Sequence, residues 1–417
     1  MDILRIATAG SVDDGKSTLI GRLLHDTGSI AKDKLEGLEA TSRRKGLDFT
    51  DLSLLTDGLI AEREQGITID VAHIYFATAQ RKYIIADTPG HIEYTRNMIT
   101  GASNAQASIV LIDARNGVIE QTRRHLFISA LLRLGHVFVC VNKMDLVQFD
   151  ENAFRRIERD MKALVQKIGY AGVVHFIPIA AKDGDNVVRA SAQTPWYTGP
   201  TLLHLLESIP VLQAEPDLPA RFPVQLVIRP HSDEYHDYRG YAGKLASGTL
   251  TQHEEVLVLP SLKQTRIKSI RSGMSPVPVA LPGQSVAIEL ADDVDVSRGS
   301  VIVSAHTPHR QLQAFSAVLN WMDETPLTSG KSYLLQHGGT RVKAKATAVQ
   351  SVLDITTMEQ QEAPGSLRLN DIGTVEIKVA RPIAADPFAE NRATGSFILI
   401  DEFSNNTVAV GFIGASR

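Results

Sequence analysis

Gly10-Ser11-Val12-Asp13-Asp14-Gly15-Lys16-Ser17 is the stretch of sequence that decides the fold. It matches the pattern G-x-x-x-x-G-K-[ST] of phosphate-binding loops. The two glycines allow the backbone to curl so that its N–H groups point at phosphate oxygens, and the helix that follows adds partial positive charge. We expect Lys16 to bridge the outer phosphates of a nucleotide and the Ser17 hydroxyl to coordinate Mg²⁺. The predicted contacts are these eight residues and Thr18.

The segments that flank this loop favour the phosphate-binding interpretation over a plain glycine-rich turn. An apolar, β-branched run at residues 3–9 predicts a buried strand, and residues 16–24 have the apolar spacing of a helix. Further strands are predicted at 83–86, 107–112, 137–141 and 173–179, and further helices at 94–103, 122–134, 152–168 and 202–209. Alternating strands and helices predict an α/β P-loop domain with a mostly parallel, doubly wound sheet.

A second polar cluster, Asn142-Lys143-Met144-Asp145, follows the predicted strand 137–141. Ligands of α/β proteins bind at the carboxyl edge of the parallel strands, so we expect this cluster to share a site with the phosphate loop. The Asp145 carboxylate can accept hydrogen bonds from N1–H and the N2 amino group of guanine, which adenine does not offer. Charged hydrogen bonds contribute about 1.5–3 kcal/mol each. The cluster therefore predicts GTP or GDP as the ligand, and an ordinary polar strand end is the alternative.

A third group, Asp87-Thr88-Pro89-Gly90-His91, follows the predicted strand 83–86. We expect Asp87 to hold Mg²⁺ through water and the Gly90 N–H to meet the γ-phosphate, so that Gly90 senses whether this phosphate is present. His91 is the candidate that orients the attacking water, although most histidines are merely surface or core residues. All five residues are predicted to contact the nucleotide.

The stretch 63–70 contains Thr68, which could complete the Mg²⁺ shell when the γ-phosphate is bound. The preceding residues, 28–64, are charged and rich in Gly and Ser, and they predict a mobile, partly helical switch segment. A plain surface insertion is the alternative. The predicted catalytic residues are therefore His91, Thr68 and Lys16, and the predicted metal ligands are Ser17, Thr68 and Asp87.

The second half of the chain changes pattern after a proline-rich stretch at 211–223, which predicts a linker. Short alternating runs separated by Gly, Pro, Asp and Asn then predict antiparallel β-barrels. Examples are residues 224–228, 243–250, 256–259, 285–289, 313–319, 343–349, 373–379 and 395–400. We predict a P-loop domain at 1–212, a β-barrel domain at 213–308 and a second β-barrel domain at 309–417.

The composition of the 417 residues excludes several classes of protein. Hydrophobic residues make up 43% and charged residues 22%, which is typical of a globular chain. A net charge of −4 argues against bulk electrostatic capture of nucleic acid or anionic lipid. The single cysteine, Cys140, excludes an internal disulfide and a multi-cysteine zinc site. No long apolar run or secretory signal occurs, so we expect a cytoplasmic protein.

Two other features have plain structural interpretations. Gly330-Lys331-Ser332 has the same sequence as the end of the phosphate loop, but the first glycine of the motif and a following helix are missing. The stretch therefore predicts a turn. The cluster of His and acidic residues at 231–237 could bind a metal, although a polar loop is the favoured interpretation because no regular spacing fixes the ligands.

The motifs and their order resemble the translation-factor GTPases of the elongation factor Tu and 1A type. More closely, the chain resembles the large, GTP-binding subunits of bacterial sulfate adenylyltransferase over nearly its whole length. The segments that carry the narrower resemblance are GSVDDGKS at 10–17, DFTD at 48–51, 63–70, DTPGHIEYTRNMIT at 87–100, RGYAGKLASGTL at 239–250, WMDETPL at 321–327 and NRATGSFILID at 391–401. The last two stretches separate these subunits from the elongation factors.

The resemblance implies GTP or GDP with Mg²⁺ and a partnership with a small catalytic subunit of the PP-loop type. That subunit would join AMP from ATP to sulfate, and GTP hydrolysis on the large subunit would drive this uphill reaction. The loop Ala180-Ala181-Lys182 corresponds to a guanine-contacting loop that usually begins with Ser. The Ala181 N–H could reach the guanine O6, and the missing hydroxyl predicts weaker nucleotide binding.

Two other functions remain open at this point. An elongation factor that delivers aminoacyl-tRNA needs a basic surface on its barrels, but residues 221–417 contain 19 Lys plus Arg against 20 Asp plus Glu. A nucleotide-gated interaction module with little turnover would not need Thr68, Asp87 and His91. We therefore expect no membrane or nucleic-acid partner and a GTPase that acts with a second protein chain.

Overall fold

The computed structural model describes residues 2–44, 46, 50–55, 70–91, 95–210, 217–230, 238–362 and 365–414. The chain divides into two compact units. The first contains Met1–Leu212 and Ile355–Met358, and the second contains Gln213–Asp354 and Glu359–Arg417. Within the described residues, no helix combines the length and the apolar composition that a membrane crossing needs.

The first unit is built around a sheet with helices packed on it. Its strands are β1 (Ile3–Ala9), β2 (Ala72–Ala77), β3 (Lys82–Asp87), β4 (Ala107–Asp113), β5 (His136–Asn142) and β6 (Val173–Pro178). Its helices are α1 (Lys16–Asp26), α2 (Lys32–Arg44), α3 (Thr95–Ala102), α4 (Glu120–Leu131), α5 (Glu151–Ile168) and α6 (Leu202–Ser208), with 3₁₀ turns at Leu52–Leu55 and Met144–Val147. The alternation of strands and helices that the sequence predicts is confirmed.

The strand order β2-β3-β1-β4-β5-β6 places β1 and β4 at the centre of the sheet. All seven residues of β4 are buried, as expected for a strand covered on both faces. The carboxyl ends of β1, β3, β4 and β5 lie at one edge of the sheet because these strands are parallel. This common edge brings the three predicted motifs together.

Strand β2 is the element that the sequence analysis missed. It pairs with β3 in the antiparallel direction at the border of the sheet, with His73 opposite Ala86. Burial alternates along β2, and Tyr75 is 69% exposed. The fully apolar signature of a central parallel strand is therefore absent here, and the sheet is mixed at this edge.

The second unit begins with an antiparallel sheet in the order β7-β16-β11-β12-β15-β9-β8, to which β13 adds on β12. The strands are β7 (Phe222–Pro223), β8 (Leu226–Ile228), β9 (Gly240–Lys244), β11 (Glu255–Leu259), β12 (Lys263–Ser272), β13 (Ser275–Pro276), β15 (Ser285–Leu290) and β16 (Val301–Ser304), with a small ladder of β10 (Leu250–Thr251) and β14 (Val279–Ala280). The predicted single strand at 243–250 is wrong because the chain turns after Lys244. Gly248 has φ +66° there, and a Cβ would lie 2.5 Å from the Ala220 backbone.

The rest of this unit forms a closed six-stranded antiparallel barrel in the order β19-β24-β25-β17-β23-β20, with β20 pairing back to β19. Its strands are β17 (Gln311–Trp321), β19 (Ser332–His337), β20 (Thr340–Asp354), β23 (Ile372–Ala384), β24 (Ser396–Ile400) and β25 (Thr407–Ile413), with β21 (Glu359–Glu362) beside β20 and a ladder of β18 (Leu327–Thr328) and β22 (Ser366–Leu367). Gly330 lies in a turn with φ +91°, as predicted. The domain boundaries at 308 and 309 stay a prediction.

A buried ion pair connects the two sheets of this second unit. The Arg221 guanidinium donates to both carboxylate oxygens of Asp386 at 2.9 Å and to the Pro308 carbonyl at 2.7 Å. Burial alone would raise the pKa of Asp386, but hydrogen bonds from Arg221 and Thr394 outweigh it and hold the pKa below its usual range. Asn391 adds a hydrogen bond to Ser247 at 2.9 Å. Two of the stretches that carry the resemblance, 239–250 and 391–401, therefore meet in this network.

We expect Asp386→Ala to lower the free energy of unfolding of this unit by about 3–5 kcal/mol, because Arg221 would stay buried without its counter-charge. Urea denaturation measures the loss. Glu390→Ala is the matched control, since Glu390 pairs with Arg310 at 2.5 Å on the exposed surface and should change stability by less than about 1 kcal/mol. Equal effects of the two variants would contradict the assignment.

Candidate nucleotide-binding site

The phosphate loop runs from the end of β1 into the first turn of α1, where the sequence analysis placed it. Gly15 has φ +92°, a conformation that side chains rarely adopt. A Cβ at Gly15 would lie 2.5 Å from the Asn142 amide nitrogen. Only glycine satisfies both conditions, so this position in the motif is fixed by backbone conformation and by the neighbouring Asn142.

The Lys16 ammonium group lies inside the loop. It donates hydrogen bonds to the carbonyls of Gly10 and Ser11 at 2.9 and 3.0 Å, and its residue is 8% exposed. Burial lowers the pKa of Lys16, while the charges of Asp87, Asp14 and Asp13 act in the opposite direction. A desolvated cation of this kind interacts strongly with an anion brought to the mouth of the loop.

Asp14 lies beneath the loop and not at its mouth. Its carboxylate accepts the Ser11 N–H at 2.5 Å, and the residue is 4% exposed. Burial raises the pKa of this carboxyl. The Asp14 side chain therefore braces the loop internally, and any contact of Asp14 with a nucleotide would come from its backbone. Val12 and Asp13 line the cavity above the loop.

The segment Asp87-Thr88-Pro89-Gly90 crosses close to the phosphate loop. Thr8 donates to the Asp87 carboxylate at 2.9 Å, and Thr88 donates to the Thr8 carbonyl at 2.5 Å. A Cβ on Gly90 would lie 2.5 Å from both the Gly10 carbonyl oxygen and the Lys16 Nζ. The structure therefore brings Gly90 and Lys16 together, and it gives the Thr88 hydroxyl a structural hydrogen bond.

Asn142, the last residue of β5, joins the phosphate loop to the predicted base-binding loop. Its amide nitrogen donates to the Asp14 carbonyl at 2.8 Å, and its amide oxygen accepts the Ala181 N–H at 3.0 Å. The Ala181 N–H, which the sequence analysis assigned to the guanine O6, is thus bonded to Asn142 here. The guanine contact of Ala181 stays a prediction.

Lys143 follows Asn142 in a left-handed conformation with φ +61°. Its ammonium group lies 3.1 Å from the carboxylate of Asp113, the last residue of β4. Burial would raise the pKa of Asp113, but Arg115 and Lys143 lower it to about 2. Sequence reasoning missed Asp113 and Arg115, although Asp113 ends an apolar strand at the same edge of the sheet as Asp87 and Asn142.

Two adjoining cavities lie over these residues. The first has a volume of about 520 Å³ and includes Lys16, Ser17 and Gly90 in its lining. The second has a volume of about 540 Å³ and includes Asp145, Ala181 and Lys182. Residues that line both cavities are Gly15, Thr18, Arg115 and Lys143. These shared walls make one cleft with the phosphate loop at one end and Asp145 at the other.

Several predicted contact residues do not present their side chains to this cleft. Met144 and Ala180 are fully buried, so any contact with a ligand would come from their backbones. His91 is partly exposed and follows Gly90 directly. Thr68 and the cluster 231–237 lie outside the described residues. Among the residues described, no group of three or more His, Cys, Asp or Glu is arranged to hold a metal.

We expect Lys16→Ala to weaken GTP binding by roughly 10²-fold or more, because the variant removes a buried, charged hydrogen-bond donor from the phosphate end of the cleft. Isothermal titration calorimetry with GTP gives the affinity. Lys343→Ala removes an exposed lysine from β20 and should leave the GTP affinity unchanged. GTP binding of normal strength in Lys16→Ala would contradict the assignment of the phosphate end.

Comparison with known proteins gives the family of the chain. The family model of the elongation factor Tu GTP binding domain matches residues 1–215, and that of the GTP-eEF1A C-terminal domain matches residues 314–414. The bifunctional enzyme CysN/CysC of Mycobacterium tuberculosis is 49% identical over 99% of this chain and 67% of its own length.

Two further relatives have the same name in different organisms. Sulfate adenylyltransferase subunit 1 of Bacteroides fragilis is 47% identical, and that of Citrobacter koseri is 46% identical. Each match covers 99% of this chain and 86% of the relative. This chain is an enzyme subunit that belongs to the sulfate adenylyltransferase subunit 1 family, with a guanine-nucleotide-binding GTPase domain of the elongation factor Tu type.

Proposed function

We propose that GTP hydrolysis in this cleft drives the formation of adenylylsulfate and pyrophosphate from ATP and sulfate on a separate catalytic subunit. The observation that carries the proposal is the geometry of the cleft. Lys16 lies at one end, Asp145 lies at the other, and Asn142 hydrogen-bonds to the loops at both ends. One guanosine triphosphate would span such a site, and the relatives are named as sulfate adenylyltransferase subunits.

The nucleotide would bind with Mg²⁺ held by Ser17, Asp87 and Thr68. Ser17 lines the phosphate end of the cleft, and Asp87 is buried beside it with Thr8 fixing one carboxylate oxygen. Hydroxyl and carboxylate oxygens are the hard ligands that Mg²⁺ prefers, so the described residues fit this ion. When bound, the ion would neutralise charge on the β- and γ-phosphates.

The chain's own residues would perform the remaining steps. Lys16 would leave the carbonyls of Gly10 and Ser11 to pair with the outer phosphates, and the Gly90 N–H would approach the γ-phosphate. His91 would orient the attacking water from its place directly after Gly90. Gly90 lies close to the phosphate loop, so a bound γ-phosphate would add a contact to this segment, and loss of the γ-phosphate would remove that contact and free the segment to move.

The catalytic partner would be a small subunit of the PP-loop type, in a heterodimer or a larger assembly in the cytoplasm. The chain contains neither an S-G-G-x-D-S loop nor an H-x-G-H motif. The relatives are called subunit 1, which supports a second polypeptide. The adenylyl transfer would therefore take place on that partner.

The test is co-purification of this chain with the small protein that binds it, followed by an assay of pyrophosphate release from ATP and sulfate. We expect GTP to stimulate the release and GDP or a non-hydrolysable GTP analogue not to sustain it. The complex with Lys16→Ala is the control and should lose the stimulation. An equal rate without GTP would overturn the proposal, and salt-sensitive binding of aminoacyl-tRNA would favour the elongation-factor alternative instead.

A further inference from the structure

Arg22 of α1 contacts the predicted base-binding loop. The Arg22 Nε donates to the Ala181 carbonyl at 3.2 Å, and its Nη2 donates to the Lys182 carbonyl. The Arg22 Nη1 lies 3.4 Å from the Asp26 carboxylate, and the Arg22 side chain is only 18% exposed. This arginine therefore holds two consecutive carbonyls of the loop and is itself held by Asp26.

The loop is shaped to receive this arginine. The Ala180 carbonyl accepts the N–H groups of Asp183 and Gly184 at 3.1 and 2.8 Å, which closes a tight turn. Gly184 has φ +94°, and a Cβ at Gly184 would lie 3.3 Å from the Arg22 side chain and 3.2 Å from Asp26. A side chain on residue 184 would thus be strained and would crowd the Arg22–Asp26 pair.

The Ala181 residue is fixed from two sides. Its N–H is bonded to Asn142 at the end of β5, and its carbonyl is bonded to Arg22 from α1. The neighbouring Ala180 has a methyl side chain, which cannot hydrogen-bond. The position of the loop therefore depends on its backbone hydrogen bonds, and Arg22 supplies two of them from a helix that begins at Lys16.

We infer that Arg22 is a positioning residue for guanine recognition, which it serves by holding Ala181 and Lys182 against the base end of the cleft. The inference rests on the proposed guanine nucleotide site. Arg22 lines the base end of the cleft and not the phosphate end, so it acts on the base through the loop. Without Arg22, a smaller fraction of molecules would have the loop in its binding position. The apparent affinity for the nucleotide would fall in proportion to that fraction.

The main test is Arg22→Met, which keeps the length of the side chain and removes its donors. We expect the affinities for GTP and GDP to fall by the same factor, roughly 10-fold. Weak ATP binding should not change, so the selectivity for GTP over ATP should fall by that factor too. The turnover at saturating GTP should be unchanged, because Arg22 does not line the phosphate end. Arg159→Met, which alters an exposed arginine of α5, is the matched control.

Arg22→Lys keeps the positive charge and cannot hold two carbonyls with a planar fork. We expect it to lose affinity for GTP as well, by roughly 3-fold or more, which makes the test independent of whether Arg22→Met folds. Normal GTP affinity in both variants would overturn the inference. A loss of affinity confined to GTP, with GDP unaffected, would also overturn the inference, since that pattern indicates a contact with the γ-phosphate.

If Asp145→Asn changes the base preference while both Arg22 variants bind GTP normally, only this inference fails. If Asp145→Asn leaves the preference unchanged, the guanine site and this inference fail together.

Discussion

Replacement of Asp145 by Asn is expected to transfer the nucleotide preference of the protein from guanosine to xanthosine. The Asp145 carboxylate would accept two hydrogen bonds from guanine, whereas the Asn amide would face the N2 amino group with a donor of its own. Charged hydrogen bonds are worth about 1.5–3 kcal/mol each, so the affinities for GTP and GDP should both fall by roughly 10²–10⁴-fold. Xanthosine has a carbonyl where guanosine has the amino group, and the amide can donate to it.

Titration calorimetry with GDP and with xanthosine diphosphate would measure the change. Asp160→Asn is the matched control, because Asp160 lies on the exposed side of α5 and should leave both affinities as they are. An Asp145→Asn protein that still prefers guanosine would contradict the assignment of the base end of the cleft.

Replacement of His91 by Ala is expected to preserve GTP affinity and to slow hydrolysis by roughly 10²-fold or more. His91 follows Gly90, whose backbone lies against Gly10 and Lys16, so the backbone of His91 begins beside the phosphate end. General-base and water-orienting groups lower the barrier of the chemical step without contributing to ground-state binding. Single-turnover hydrolysis of GTP separates this effect from nucleotide release.

His73→Ala is the matched control for this experiment, because His73 is an exposed residue of β2. Both variants should bind GTP with the affinity of the unaltered protein. Turnover that is equal in the His91 variant and in the control would remove His91 from the mechanism. A loss of GTP affinity in His91→Ala would instead assign this residue to binding.

The central part of the fold could be predicted because its residues carry two independent signals. Strands β1 and β4 are rich in apolar, β-branched residues, and a polar motif lies at or directly after the ends of β1, β3 and β5. Parallel strands bring their carboxyl ends to one edge, so linear order was enough to place Lys16, Gly90 and Asn142 in one site. The structure confirms this convergence of the three motifs.

The features that the sequence analysis missed have a weak sequence pattern, or they depend on contacts between residues that are far apart in sequence. Strand β2 is short and half exposed, and nothing in its sequence shows that it runs antiparallel to β3. Arg22 is an ordinary charged residue of α1 whose partners are about 160 positions away in sequence. Asp113 could have been predicted from the sequence, because it ends a buried strand as Asp87 does. Thr68 was predicted from the order of the motifs alone and stays a prediction.

The two hydrogen bonds of Asn142 have a consequence for nucleotide fragments. Because one amide fixes both Asp14 and Ala181, ordering either loop lowers the entropic cost of ordering the other. Free guanosine and inorganic tripolyphosphate should therefore bind with positive cooperativity, each raising the affinity for the other by an equal factor. An Asn142 variant would turn this coupled pair into two independent half-sites.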